Sequence, residues 1–314
     1  MSSSVKLVSA LLAAGAAGAA GGLARSQYER DCLTVEETEI VSAKIKRPRT
    51  VVFLSDLHDK EFGQGNERLF QALREIGPDM VLIGGDTMVA KAGKAGLEVT
   101  ERLLDGLCGL WKNDRGGLVF GDSASGTRER NVCRIFYGNG NHEQRMRREQ
   151  ETYGRLYREF RHMLKARNIC YLSDRTVQAD EDLCISGLDI EKAYYRDFMP
   201  AKMEKEYILQ RLGEPDSTRF QILLAHSPLF FDAYAAWGAD LSLAGHFHGG
   251  TIRIPGLGGV MTPQYQFFLP CCAGTFEQDG RHMIVSRGLG THSINIRICN
   301  KPQVVVVRLK PKTT

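Results

Sequence analysis

The stretch TVVFLSDLH, residues Thr50 to His58, joins an apolar block to a polar tip. Four consecutive apolar residues, Val51 to Leu54, are typical of a strand that is buried on both faces. The next segment, NERLFQALREIG, has its apolar residues at helical spacing, and MVLIGGD then repeats the block and its polar tip. This order of strand, helix and strand predicts an α/β fold.

The same arrangement, an apolar block followed by polar residues, occurs five times along the chain. The polar tips contain Asp56, His58, Asp86, Asn141, His142, His226, His246 and His248. Because side chains at the carboxyl ends of sheet strands converge on one crevice, we expect these residues to share a site. Eight nitrogen and oxygen donors without a cysteine are too many for one tetrahedral zinc ion. They suit two five- or six-coordinate divalent ions joined by a bridging carboxylate.

Taken singly, these residues also have purely structural interpretations. Asp86 could cap the next helix, Asn141 could hold a turn, and His226 could be a buried, hydrogen-bonded histidine. Two histidines one residue apart, as in the GHFH segment from Gly245 to His248, can instead present their rings to two neighbouring ions. The ordered occurrence of all five tips, each after an apolar block, favours the metal site.

The blocks DLH, GGD, GNHE, AHSP and GHFH resemble, in this order, the motifs of the calcineurin-like metallophosphoesterases. The resemblance extends over about residues 51–309 and implies a four-layer α/β sandwich, in which two packed mixed β-sheets are flanked by helices. It also implies the metal ligands. They are Asp56, His58 and His248 for the first ion, Asn141, His226 and His246 for the second, and Asp86 as the bridge.

The same resemblance implies a hydrolase that cleaves a phosphodiester or pyrophosphate bond by attack of a metal-bridged hydroxide. Two divalent ions about 3.5–4 Å apart lower the pKa of a shared water and neutralise phosphoryl oxygens. The expected catalytic residues are Asp86, as the bridge, and His142, which faces the substrate and, as imidazolium, could protonate or hydrogen-bond the leaving oxygen. Imidazole, carboxylate and amide donors favour two Mn²⁺ ions, with Fe, Zn, Co or Ni as alternatives.

The later segments GHFHGGTIRIPG and VSRGLGTHSINIRICNKPQVVVVRL resemble the bacterial, membrane-associated YkuE/YaeI-type phosphodiesterases. Some of these enzymes cleave UDP-diacylglucosamine, so a lipid-linked or nucleotide-linked envelope precursor is the substrate that the resemblance implies. That branch commonly has glutamine where this chain has Thr251, which leaves the substrate open. The alternatives are a phosphatase or nucleotide phosphodiesterase acting on a soluble substrate, and a non-catalytic scaffold with this fold.

The chain divides into an N-terminal apolar segment (1–24), a linker (25–49) and a metallophosphoesterase domain (50–314). The apolar segment is long enough to span a bilayer, which predicts a membrane anchor, although its small residues also fit a cleaved signal peptide and a soluble tail is the third alternative. Arg25 and Arg30 follow the segment and only Lys6 lies near its start, which favours a catalytic domain on the cytoplasmic face. We therefore expect a membrane-associated enzyme.

The charge distribution argues against a nucleic-acid partner. The net charge is +4, and the 41 basic residues are interspersed among 37 acidic ones instead of forming a basic stripe. Residues 112–131 are rich in glycine and charge, and they predict an exposed insertion to which no chemistry is assigned. A phosphoester substrate remains the expected partner.

Overall fold

The computed structural model describes residues 3–93, 95–111, 134–195, 201–262, 265–291 and 294–312, with side chains from residue 12 onwards. The insertion expected over residues 112–131 lies outside the described residues. The helices are α1 (Ser3–Asp31), α2 (Glu67–Ile76), α3 (Glu98–Gly109), α4 (Asn141–Arg148), α5 (Gln150–Ala166), α6 (Lys205–Leu212) and α7 (Phe231–Trp237). The strands are β1 (Thr34–Ser42), β2 (Arg49–Leu54), β3 (Met80–Ile83), β4 (Ile135–Gly138), β5 (Cys170–Leu172), β6 (Arg175–Asp180), β7 (Leu183–Leu188), β8 (Phe220–Ala225), β9 (Leu241–Ala244), β10 (Arg253–Ile254), β11 (Gly258–Gly259), β12 (Gly274–Gln278), β13 (Arg281–Val285) and β14 (Gln303–Pro311).

Most of the strands form two six-stranded mixed sheets. The first has the order β1-β14-β2-β3-β4-β5, and the second has the order β12-β13-β9-β8-β7-β6. In the first sheet, β2 to β5 run parallel and β14 is antiparallel to β2. In the second sheet, β13, β9, β8 and β7 run parallel, and the edge strands β12 and β6 are antiparallel to their neighbours. Strands β10 and β11 form a separate short hairpin.

The two sheets pack face to face, and helices cover their outer faces. Phe53 of β2 and Ile222 of β8 belong to the buried cluster between the sheets. Leu54 of β2 instead packs in a cluster with α2, α3 and α5, and Leu223 of β8 packs in a cluster with α6 and α7. Consecutive residues of one strand serve two cores because their side chains point to opposite faces of the sheet. The predicted four-layer α/β sandwich is confirmed.

Residues 25–49, expected to be a linker, contain the end of α1 and the whole of β1. Strand β1 pairs in parallel with β14 over its full length, from Thr34 opposite Gln303 to Ser42 opposite Pro311. Ile40 is its one fully buried residue. A strand at the edge of a sheet needs few apolar side chains. Because this segment is polar, the search for apolar blocks did not predict the strand.

The membrane localisation predicted from the N-terminal segment is wrong. Among the described residues, no helix is sufficiently long and apolar to cross a membrane. Helix α1 has 29 residues, but alanine and glycine make up most of its central part. These small residues bury little apolar surface, and each contributes little to the free energy of membrane insertion. Length alone therefore misidentified this helix as an anchor.

Candidate metal centre

The polar tips lie together at the carboxyl ends of five strands, as the sequence predicts. Asp56 and His58 follow β2, Asp86 follows β3, Asn141 and His142 begin α4 after β4, His226 follows β8, and His246 and His248 follow β9. Strands β2 to β4 belong to the first sheet, and β8 and β9 belong to the second. The site therefore forms where the same ends of the two packed sheets meet.

The loops at these strand ends adopt a backbone conformation that is rare for residues with side chains. Five of the tip residues have φ between 46° and 71°, namely Asp56, His58, Asp86, His246 and His248. Such left-handed conformations are unfavourable for L-residues and persist mainly at functional sites. At Gly85 a Cβ would lie 1.9 Å from the backbone nitrogen of Gly140, so only glycine lets these two loops approach. Their approach brings Asp86 beside the start of α4.

Three overlapping groups of buried side chains have ligand atoms within 4.8 Å of one another. The groups are Asp56 with His58 and His248, His58 with Asp86 and His142, and Asp86 with His226 and His246. The structure thus brings seven of the eight predicted residues into one continuous cluster. Asn141, the eighth, is the first residue of α4, and its Oδ1 is buried without a hydrogen-bond partner in the described part of the chain.

Backbone carbonyl groups determine which nitrogen carries the proton in two of the imidazoles. The Nδ1 of His226 donates to the Gly84 carbonyl oxygen at 2.8 Å, and the Nδ1 of His248 donates to the Gly290 carbonyl oxygen at 3.1 Å. In the neutral rings, each Nε2 therefore carries a lone pair. Carbonyl groups often orient metal-binding histidines in this way.

These lone pairs face carboxylate oxygens, which are also acceptors. His226 Nε2 lies 3.2 Å from Asp86 Oδ2, and His248 Nε2 lies 3.5 Å from Asp56 Oδ1. The Nε2 atoms of His58 and His248 are 3.1 Å apart. Acceptors at such distances repel one another unless a proton or a cation lies between them. The donor set, imidazole with carboxylate and amide oxygen, fits first-row divalent metal ions.

The electrostatics of the buried site also favour bound positive charge. Burial alone would raise the pKa of Asp86, but the His226 and His142 rings hold this pKa well below its usual value. Burial lowers the pKa of His226, and the Asp86 and Asp56 carboxylates outweigh this effect and raise it to about 10. Burial and the neighbouring His226 lower the pKa of His246 well below its usual value. Without a metal ion, a proton on His226 balances the carboxylates.

His142 differs from the other imidazoles in its contacts. Its Nδ1 accepts the backbone N–H of Ala90 at 2.9 Å, so the proton of the neutral ring is on Nε2. Its own backbone N–H donates to Asp86 Oδ1 at 2.8 Å. Burial lowers the pKa of His142, which favours this neutral form. Within the cluster, the His142 ring is therefore an N–H donor.

Two further residues of the site were not singled out from the sequence. Glu143 is buried and accepts the backbone N–H groups of Asp86 and Gly140, each at 2.9 Å, so it holds two site loops together. A glutamate at the third position of a helix is a recognisable capping signal and could have identified it. The Tyr195 ring lies 4.8 Å from the His246 ring, and its hydroxyl is buried without a hydrogen-bond partner among the described residues. No local sequence signal indicates Tyr195.

Comparison with known proteins agrees with this arrangement. The chain is 34% identical over 124 residues to the uncharacterized metallophosphoesterase YkuE of Bacillus subtilis (strain 168), a match covering 40% of this chain and 42% of that protein. It is 26% identical over 314 residues to the uncharacterized protein YpbG of the same organism, covering 98% of both chains. It is 30% identical over 145 residues to an uncharacterized metallophosphoesterase of Aquifex aeolicus (strain VF5), a match covering 45% of this chain and 51% of that protein. The matches to the two metallophosphoesterases span about half of those proteins or less.

The family model for calcineurin-like phosphoesterases matches residues 49–250. This range includes all eight residues predicted from the polar tips and most of the strands of both sheets. The similarity to YkuE agrees with the branch that the sequence resembles. The match covers well over half of the chain, and the chain therefore belongs to the calcineurin-like phosphoesterase family.

Proposed function

We propose that the protein is a dinuclear metal-dependent phosphohydrolase that cleaves a phosphodiester or pyrophosphate bond. One observation carries the proposal: imidazole lone pairs lie opposite carboxylate oxygens in three adjoining buried groups of side chains. Asp86 belongs to two of these groups. Such an arrangement needs positive charge between the acceptors, and two divalent ions would supply it to all of these donors at once. Membership of a phosphoesterase family supplies the reaction class.

The proposed ligands form two sets joined by Asp86. The first ligand set is Asp56, His58 and His248, and the second ligand set is Asn141, His226 and His246. Asp86 is suited to the bridge because its Oδ2 lies 3.2 Å from His226 Nε2 and 3.9 Å from His58 Nε2. The orphaned Oδ1 of Asn141 supports its place in the second set, since a buried acceptor needs a partner.

Bound divalent ions would supply a water of lowered pKa and would neutralise the phosphoryl oxygens of the substrate. The residues of the chain supply the remaining functions. His142, with its proton on Nε2, can donate a hydrogen bond to the leaving oxygen and stabilise the negative charge that develops there as the bond to phosphorus breaks. The Tyr195 hydroxyl beside His246 can donate to a non-bridging phosphoryl oxygen. The buried surroundings of both donors strengthen these hydrogen bonds.

Removal of metal should abolish hydrolysis, because the proposed nucleophile is a water whose pKa the bound ions would lower. We expect the EDTA-treated protein to hydrolyse bis-p-nitrophenyl phosphate no faster than the buffer. Addition of Mn²⁺ should restore the rate most effectively, because the donors are imidazole and oxygen. Metal analysis of the active protein should give two ions per chain. Equal rates in metal-free and reconstituted protein would refute the proposed mechanism, and two bound ions without turnover on any phosphoester would indicate a scaffold.

A cavity next to the loop that follows His248 supports a substrate with an apolar part. It has a volume of about 530 Å³, and its lining residues are Arg253, Leu257, Gly258, Gly259, Phe268, Leu269, Pro270, Cys272 and Ala273. Arg253 lines it and donates to the carbonyl oxygen of Gly249, which directly follows His248 (2.7 Å). Apolar walls with one cation fit an amphiphilic anion. We therefore propose a lipid-linked phosphoester or pyrophosphate, such as UDP-diacylglucosamine, as the substrate class.

Phe268 and Phe267 provide a matched pair of variants for this substrate. Both are exposed, at 56% and 61%, but Phe268 lines the cavity and Phe267 does not. Phe268→Ala should raise the KM for UDP-diacylglucosamine in detergent micelles by about tenfold, because the variant loses an apolar contact with the lipid. The rate on bis-p-nitrophenyl phosphate should stay unchanged. A parallel loss on both substrates, or an equal effect of Phe267→Ala, would contradict a role of the cavity in binding the lipid.

A further inference from the structure

The last turns of α1 contain two buried polar side chains, Ser26 and Glu29. Glu29 accepts the backbone N–H of Asn300 at 3.0 Å with Oε2, and its Oε1 accepts Arg25 Nε at 2.7 Å. Ser26 Oγ accepts the backbone N–H of Arg297 at 3.0 Å. A buried carboxylate is costly unless it is hydrogen-bonded. These contacts therefore fix the segment 297–300 against a helix that precedes it by about 270 residues.

The segment 297–300 in turn holds the loop that carries His248. The Asn300 side chain donates to the His248 carbonyl oxygen at 2.8 Å and also to the carbonyl oxygen of Gly250. The buried guanidinium of Arg297 donates to the carbonyl oxygens of Gly288, at 3.2 Å, and Gly290. Gly290 is the residue whose carbonyl oxygen accepts His248 Nδ1. Both the backbone and the ring of His248 thus depend on this segment.

The loop that Arg297 holds, which contains Gly288 and Gly290, also contacts Asp56. The backbone N–H of Gly290 donates to the Asp56 carbonyl oxygen at 2.7 Å, and that of Leu289 donates to the Ser55 carbonyl oxygen at 3.0 Å. In the second ligand set, His226 is oriented by another part of the chain, Gly84 of the loop after β3. The hydrogen bonds of α1 are therefore connected, through Arg297 and Asn300, to Asp56 and His248 of the first ligand set.

We infer that Ser26 and Glu29 are positioning residues for the first ligand set, through Arg297, Asn300 and Gly290. This inference rests on the proposed assignment of Asp56, His58 and His248 as metal ligands. Partners that orient metal ligands change metal affinity by about 10- to 100-fold when they are removed. Residues 25–31, expected to be part of a linker, are then a functional part of the metal centre.

The test is a titration of the full-length protein with Mn²⁺. Binding is measured by calorimetry and by the electron paramagnetic resonance signal of free Mn²⁺. The wild-type protein should bind two ions. Glu29→Ala should weaken one binding step by about 10- to 100-fold and leave the other unchanged. Glu29→Gln, which keeps an oxygen acceptor for Asn300, should largely restore the affinity. The matched control is Glu39→Ala. It removes an exposed glutamate of β1 that pairs with Lys310 of β14, and it should change neither step.

Ser26→Ala removes one hydrogen bond with little change in volume, so it decides the question if Glu29→Ala fails to fold. It should weaken the same single step. Circular dichroism melting curves of the metal-free variants establish that they are folded. Equal weakening of both steps, or no weakening in folded Glu29→Ala and Ser26→Ala, would overturn the inference while the proposed function stands. A wild-type protein that binds no Mn²⁺ would instead overturn the ligand assignment and both proposals with it.

Discussion

Asp86→Asn is expected to lower kcat/KM for bis-p-nitrophenyl phosphate by at least about 100-fold, the upper limit for residues that only orient metal ligands. Asp86 contacts both proposed ligand sets, because its Oδ2 lies near His226 Nε2 and His58 Nε2. Asparagine keeps Oδ1 as the acceptor for the His142 N–H, so the loop should keep its conformation. It removes the negative charge and replaces Oδ2 by an amide donor, which cannot bridge two cations.

The measurement for Asp86→Asn is metal content together with steady-state kinetics. We expect fewer than two ions per chain after dialysis against metal-free buffer. Asp240→Asn is the matched control, because Asp240 is a buried, hydrogen-bonded carboxylate that precedes β9, at the opposite end from the metal loop. That variant should keep both ions and its activity and lose only stability. Full metal occupancy and activity in Asp86→Asn would refute the bridging role.

His142→Asn should keep both metal ions and lose mainly kcat, by about 10²- to 10⁴-fold for a diester with an alkoxide leaving group. The loss should be much smaller for p-nitrophenolate, which delocalises its negative charge and needs little stabilisation from a hydrogen bond. The structural reason is that Nδ1 accepts the Ala90 N–H, which leaves Nε2–H as the donor. The asparagine oxygen can still accept a hydrogen bond near the position of Nδ1, so the local structure should be preserved.

The comparison of the two leaving groups separates hydrogen-bond donation by His142 from metal binding. His282→Asn is the matched control, because His282 lies opposite Leu241 at the start of β9, remote from the metal loop. It should change neither the metal content nor the ratio of the two rates. His142 also lies within ligand distance of His58 and Asp86. If His142→Asn loses a metal ion, His142 is a ligand and the assignment as donor is wrong.

The strands and their polar tips could be predicted from the sequence because the signal for them is local. The apolar block Val51–Leu54 became β2, and the blocks before Asp86, His226 and His246 became β3, β8 and β9. Their burial on both faces in a four-layer structure removes alternation and leaves continuous apolar runs. The order of the tips then sufficed to predict the fold class and the residues that converge.

The N-terminal region could not be predicted in the same way. Strand β1 is polar because it lies at a sheet edge, and its identity depends on pairing with β14 at the other end of the chain. Helix α1 has the length of a membrane span without its apolar character. The contacts of Glu29 join residues about 270 positions apart, so no local pattern marks them.

The sequence by itself determined the α/β class, the five polar tips and the chemical types of the donors, because each depends on a few neighbouring residues. Only the tertiary structure decided which donor atoms lie opposite one another, because the donors come from two different sheets and from loops that are far apart in the sequence. The proton on His142 Nε2, the carbonyl partners of His226 and His248, and the contact of Asp86 with both ligand sets are of this kind. They depend on backbone atoms, which every residue carries, and packing alone determines which of them meet.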